Sequence, residues 1–155
     1  MSATTSRPEL HLIAHDIRSR ENVGSLFRSC DSLGVAKLWL SGYTICPPDA
    51  QLSKVALGAE SVVPWEKRLD GVSLLQELRK SGVPIYALEL TPEAIELARF
   101  TPPARMALLL GSERTGVSPT LLELCEGVIK ITQQGIKESM NVSVSAAIAA
   151  WAILR

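Results

Sequence analysis

The segment that most limits what this chain can fold into is its last one, GVIKITQQGIKESMNVSVSAAIAAWAILR from Gly127 to Arg155. A β-branched run (Val128, Ile129, Ile131) predicts a short strand, and a polar bridge leads from it to Ser139-Met140-Asn141. The residues that follow are Val, Ala, Ile and Trp with almost no polar face, which predicts a helix. Asn141 reads as its N-cap, because the side-chain oxygen can accept from an orphan amide of the first turn. A helix that is apolar all round must be covered on more than one side. A bilayer would need ~20 apolar residues, and this run is shorter and holds Ser143 and Ser145. Burial between the body of the domain and a second copy is the reading that remains. Ser139, Asn141 and Ser143 then sit at the lip of a buried element, where polar groups usually have a task.

Upstream, strand-like and helix-like stretches alternate. Leu10 to Ile17 (LHLIAHDI) predicts a buried strand. From Asn22, read as a cap, the residues Val23, Leu26, Phe27, Cys30 and Leu33 recur at helical spacing up to Gly34. AKLWL predicts a second strand, QLSKVALGAE a short helix or turn, and SVVPWEKR an edge strand, since Pro64 cannot donate to a central ladder. Val72 to Lys80 reads as an amphipathic helix, PIYALEL as a strand and TPEAIELARFTPPA as a connection. RMALLLG is the most hydrophobic strand, and Ser118-Pro119 starts a helix through Cys125. The alternation predicts an α/β fold around a mainly parallel sheet. At 155 residues the chain is expected to form one domain, from Leu10 to Arg155, after a flexible tail over residues 1–9. MSATTSRPEL has no apolar core and is not read as a signal peptide.

Charge excludes one class of partner surface. Lys plus Arg and Asp plus Glu number 16 each, so no global field steers a polyanion and any nucleic-acid surface is a local patch. Candidates for that patch are Arg18, Arg20, Lys54, Lys67 and Arg68, each of which could equally be a solvated charge. Three cysteines, widely spaced and without a CxxC, point to reduced thiols in a cytoplasmic protein and to no zinc site.

Ligands of parallel sheets bind beyond the carboxyl ends of the strands. Three loops there carry unusual chemistry. In the first, Gly24 and Arg28 share a helix face, so the guanidinium leans over bare backbone and could hold a phosphate; the plain alternative is a capped helix with a surface arginine. In the second, Gly111-Ser112-Glu113-Arg114-Thr115-Gly116, two glycines would let backbone approach a ligand, and Glu113 could accept from a hydroxyl or orient a cation. It is neither a Walker A loop nor GxGxxG. In the third, Ser139-Met140-Asn141-Val142-Ser143 places short polar groups at a helix start, which suits an anion or an ordinary cap.

Taken in order, these loops resemble the three motifs of the SpoU (TrmH) family of RNA ribose methyltransferases, in the SPOUT superfamily. The motifs are Asn-x-Gly followed by Arg (Asn22, Gly24, Arg28), Gly-x-Glu-x-x-Gly (Gly111, Glu113, Gly116), and Ser-Met-Asn-Val-Ser before an Ala-rich helix (Ser139 to Ser143). The stretch SKVALGAESVVPWE is similar to the middle of many members. The resemblance implies a doubly wound sheet with helices on both faces and a C-terminal trefoil knot. It implies S-adenosylmethionine held by loops at Leu88, Gly111, Gly116, Ile131 and Met140, and a homodimer through the first and last helices. The implied reaction is methyl transfer to a ribose 2′-hydroxyl of tRNA or rRNA, without metal. Arg28 would come from the opposite subunit to hold the phosphate and the developing alkoxide, since a guanidinium is a poor proton acceptor. Asn22 would orient Arg28 or the ribose, Glu113 and Asn141 would shape the site, and Ser139 would orient cofactor or substrate. Many members carry Ile-Pro-Met where this chain has Ile131-Thr132-Gln133. The competing readings are a knotted methyltransferase acting on a base, a non-catalytic RNA-binding or assembly protein, and a generic nucleotide-binding α/β protein.

Overall fold

The computed structural model describes residues 6–137 and 139–155. Seven strands form one sheet: β1 Glu9–His15, β2 Lys37–Ser41, β3 Trp65–Arg68, β4 Ile85–Leu88, β5 Ile95–Glu96, β6 Arg105–Leu110 and β7 Gly127–Lys130. Their order is β3-β2-β1-β6-β4-β7-β5, and every pairing is parallel. Near-continuous apolar strands suit this arrangement, because a parallel sheet is covered on both faces. Alternation along each strand divides the core in two. Leu10, Leu12 and Ala14 of β1, with Met106, Leu108 and Leu110 of β6, face one cluster. Ile13, Ala107 and Leu109 face the other.

The helices α1 Arg20–Leu33, α2 Ala50–Ala56 and α5 Val142–Leu154 cover the first face. On the second lie α3 Gly71–Lys80 and α4 Pro119–Leu122. Phe27 of α1 is fully buried and meets Trp65 edge-on, with ring centroids 6.3 Å apart; a buried side chain of this kind contributes about 1.5–3 kcal/mol.

Several expectations need correction. The first strand ends at His15, because Asp16 adopts a left-handed φ of 55° and turns the chain. The first helix starts at Arg20, and its N-cap is Ser19, whose side chain accepts from the amide of Asn22. Asn22 therefore lies in the first turn, which frees its amide group for other partners. The connection before β6 contains β5, which extends the sheet beyond β7. Ser118 caps α4 as the sequence suggests, but the helix ends at Leu122, short of Cys125. At the chain start, residues 1–5 of the expected tail lie outside the described residues. Arg7 hydrogen-bonds the carbonyl oxygens of Leu33 and Leu154, and Glu9 already belongs to β1.

Candidate functional site

The loops that follow β4, β6 and β7 meet the start of α5 around a cleft of about 540 Å³. Leu88, Gly111, Gly116, Ile131 and Met140, the residues expected to hold a cofactor, all line it. So do Glu113, Ser139 and Asn141. Asn22 reaches the rim from α1. Its Nδ2 donates to Glu113 Oε1 at 3.0 Å, and its Oδ1 accepts from Asn141 Nδ2 at 3.1 Å. The backbone N–H of Ser19 donates to the same Glu113 oxygen at 3.4 Å. One hydrogen-bonded cluster thus ties all three motif loops together.

Asn141 also does the capping its position suggested. Its Oδ1 accepts from the amides of Ser143 and Val144 and from the Ser143 hydroxyl, at 3.0, 3.2 and 2.6 Å. Those first-turn amides are thereby occupied, so the start of α5 does not offer them to an anion.

The glycines work differently from the expectation. A Cβ on Gly111 would lie 2.3 Å from the Gly116 carbonyl carbon, and one on Gly116 would lie 2.2 Å from Glu89 Oε1. Both are needed so that the loop can close on itself, which it does through Gly116 N–H to Ser112 O at 3.0 Å. Glu89 holds the closed loop by accepting from the Val117 amide at 2.6 Å. Sequence reasoning passed over Glu89; a carboxylate at the carboxyl end of a strand was the available signal.

Gly24 is not a notch for a ligand. It is buried, and a Cβ there would meet Val55 Cβ at 2.8 Å and the Leu52 carbonyl oxygen at 2.9 Å, so its bareness lets α1 pack closely on α2. Arg28 is the one expected catalytic residue away from the cleft of its own chain. It is exposed on the outer face of α1, lining a second depression with Ser25, Ser29, Ile148 and Trp151. Beside it α5 exposes Val144, Ile148 and Trp151, while Ala146, Ala149, Ala150 and Ile153 are buried.

Of the cations expected to form a local patch, most have structural partners. Arg20 pairs with Asp49 at 2.8 Å, Arg68 with Glu77 at 2.6 Å, and Lys67 donates to the carbonyls of Gly42 and Thr44. Hydrogen bonding from Arg20 is the main cause holding the Asp49 carboxyl below its ordinary range. Burial pushes the thiols of Cys30 and Cys125 up, to about 12 and about 11. Among the described residues, no group of three His, Cys, Asp or Glu side chains could hold a metal ion, and no helix is long and apolar enough to cross a membrane.

The model of the SpoU rRNA Methylase family matches residues 9–151. The chain belongs to the SpoU family. The match covers all three loops, so the motif resemblance extends to the whole sheet. Among SpoU relatives, the 23S rRNA (guanosine-2′-O-)-methyltransferase RlmB of Neisseria meningitidis is 33% identical over 91% of this chain and 56% of its own length. The tRNA (guanosine(18)-2′-O)-methyltransferase TARBP1 of Mus musculus is 32% identical over 94% of this chain but 9% of its own. The SpoU domain here thus spans about half of one relative and a small part of the other. The AdoMet-bound rRNA methyltransferase of Sinorhizobium meliloti shares the fold, with a TM-score of 0.89, 20% identity, and coverage of 96% of this chain and 56% of that one.

Proposed function

We propose that the chain is a S-adenosylmethionine-dependent methyltransferase acting on a ribose 2′-hydroxyl of tRNA or rRNA. The observation that carries this reading is the hydrogen-bonded Asn22–Glu113–Asn141 cluster at the rim of the cleft lined by Leu88, Gly111 and Met140. The 2′-O-methyltransferase names of the relatives and the AdoMet-bound fold neighbour support it.

The cleft suits that cofactor. Its volume lies in the range of small-molecule sites. Leu88, Leu90, Leu110 and Ile131 offer apolar wall for a purine ring, and Glu89, Gln133 and Ser139 offer polar groups for its hydroxyl and amino-acid ends. When bound, S-adenosylmethionine supplies an electrophilic sulfonium methyl group. The chain's own residues do the rest by positioning. Leu88, Gly111, Gly116, Ile131 and Met140 hold the cofactor, and Ser139 orients it or the substrate. Glu113 fixes Asn22, and Asn141 completes the rim. Arg28 enters from a second copy, grips the phosphate beside the target ribose and stabilises the developing alkoxide, with a phosphate oxygen accepting the proton.

The same reading entails a homodimer through α1 and α5, supported by the exposed Val144, Ile148 and Trp151 beside Arg28. It entails one methyltransferase domain with a C-terminal trefoil knot. A cytoplasmic setting fits the free thiols. Calorimetry with S-adenosylmethionine should give heat of binding, and nuclease digestion of methylated RNA should leave a resistant dinucleotide. No heat at millimolar cofactor, or a methyl group found on a base, would remove this assignment.

A further inference from the structure

Tyr43 is an aromatic residue held out into solvent by a fixed backbone. The residue is 72% exposed. Its backbone N–H donates to Asp16 Oδ1 at 2.8 Å, and Lys67 binds the carbonyls of Gly42 and Thr44 on either side of it, at 2.6 and 2.5 Å. Thr44 is buried, with its hydroxyl donating to the Ala14 carbonyl at 2.8 Å and accepting from the Ile17 amide at 3.1 Å. Gly42 and Asp16 both adopt left-handed φ, at 62° and 55°, to make this junction. For Asp16 that conformation is uncommon and is sustained by the surrounding bonds. The guanidinium of Arg18 lies 5.5 Å from the centre of the Tyr43 ring.

A cavity of about 400 Å³ adjoins the ring, bordered also by Leu69, Val72, His15, Asp16 and Asp70. Leu69 is 82% exposed, which leaves a second apolar surface beside the ring. Two carboxylates at this cavity oppose a phosphate or an acidic peptide inside it. Asp16 is held by the Tyr43 amide and by His15 Nε2, and Asp70 caps α3 by accepting from the amides of Val72 and Ser73, so the surface left for a ligand is the Tyr43 ring with Leu69, which suits the flat face of a nucleobase. Arg18 stands outside the cavity as the cation for a phosphate of the same strand. Unpaired RNA bases are commonly gripped by aromatic rings together with arginine.

The place is adjacent to the reaction site. Ser19, next to Arg18 in sequence, donates its backbone N–H to Glu113 at 3.4 Å. Ser118, just past the loop that lines the cleft, borders the Tyr43 cavity. We propose that Tyr43, braced by Arg18, is a stacking platform for an unpaired RNA base near the nucleotide to be methylated. The proposal rests on the RNA reading above and adds the residue that grips the strand.

The test titrates a short fluorescein-labelled single-stranded oligoribonucleotide of mixed sequence, followed by anisotropy, into wild type, Tyr43→Ala, Tyr43→Phe and Arg18→Ala. Tyr43→Ala should weaken binding about tenfold or more, Tyr43→Phe should bind like wild type, and Arg18→Ala should fall between. Unfolding midpoints and calorimetric affinity for S-adenosylmethionine should stay at the wild-type values in all three variants. An oligonucleotide carrying 4-thiouridine should cross-link to the peptide containing Tyr43. Wild-type affinity in Tyr43→Ala, or cross-links only elsewhere, would overturn the platform. Methyl transfer to tRNA with an unaltered KM in Tyr43→Ala would sink the platform and keep the methyltransferase reading. Tyr43-dependent binding without any methyl transfer would do the reverse.

Discussion

At the cleft, side chains from three loops satisfy one another: Asn22, Glu113 and Asn141 exchange hydrogen bonds, and Glu89 secures the loop between Gly111 and Val117. On the outer face of α1 and α5 the opposite holds, for Val144, Ile148 and Trp151 lie open to water, and Arg28 forms no ion pair among the described residues. One region is internally complete and the other lacks partners. In the homodimer proposed above, this apolar strip beside Arg28 is the face that a second copy would cover. The residues needed for the proposed chemistry are therefore divided between a finished region and an unfinished one.

The largest expected effect comes from the unfinished side. Arg28→Ala should lower methyl transfer about 100- to 1,000-fold, with calorimetric affinity for S-adenosylmethionine unchanged; equal turnover would erase the division of labour. Ile148→Glu with Trp151→Glu should convert a dimer at micromolar concentration into a monomer by light scattering and abolish transfer with it. A wild-type monomer would break the comparison outright. Gly24→Ala tests whether that residue serves packing or ligand. It should cost about 1–3 kcal/mol in urea unfolding through overpacking against Val55 and Leu52. A loss of RNA affinity at full stability would instead return Gly24 to the ligand side.

The smallest expected effect concerns the Arg20–Asp49 pair, which joins the starts of α1 and α2. The folded carboxyl of Asp49 titrates below its ordinary value, chiefly through Arg20 and next through the Leu52 amide. Its contribution is therefore complete above the unfolded value and lost as pH falls through the folded one. Asp49→Asn keeps a capping oxygen for α2, so urea midpoints of the variant should fall less steeply with acidification below about pH 5. An identical slope would assign the acid sensitivity elsewhere, to Glu9 or Glu77, whose carboxyls are also held low.

What could be read from sequence follows the range of the forces involved. Long apolar runs announced β1 and β6, and the period of Val23, Leu26, Phe27 and Cys30 announced α1, because burial over many residues leaves a pattern. β5 has two residues, too few for any period, and owes its existence to pairing with β7. Asn22 was read as the cap of α1, yet Ser19 three residues earlier takes that place, because the chain turns at Asp16 and the helix begins at Arg20. The motif residues of the cleft were legible by type. The task of Gly24 was not, because the requirement comes from α2, and nothing in the local sequence records how near that helix passes. Glu89 and Tyr43 escaped notice for a related reason, being ordinary residues made unusual by what surrounds them.

The Asn22 amide has one further consequence. A carboxylate can only accept, so Glu113 dictates which end of the Asn22 amide faces it. The oxygen must then point the other way, which in turn orients Asn141 with its nitrogen toward Asn22 and its oxygen toward the amides of α5. The donors thus run one way, from the backbone amides of the last helix through Asn141 and Asn22 to a single carboxylate between β6 and α4, with both ends of the relay agreeing on its direction. Replacing Glu113 by glutamine would keep the heavy-atom count and remove the charge, while the amides of α5, which can only donate, would still hold the Asn141 oxygen and with it the direction of the relay.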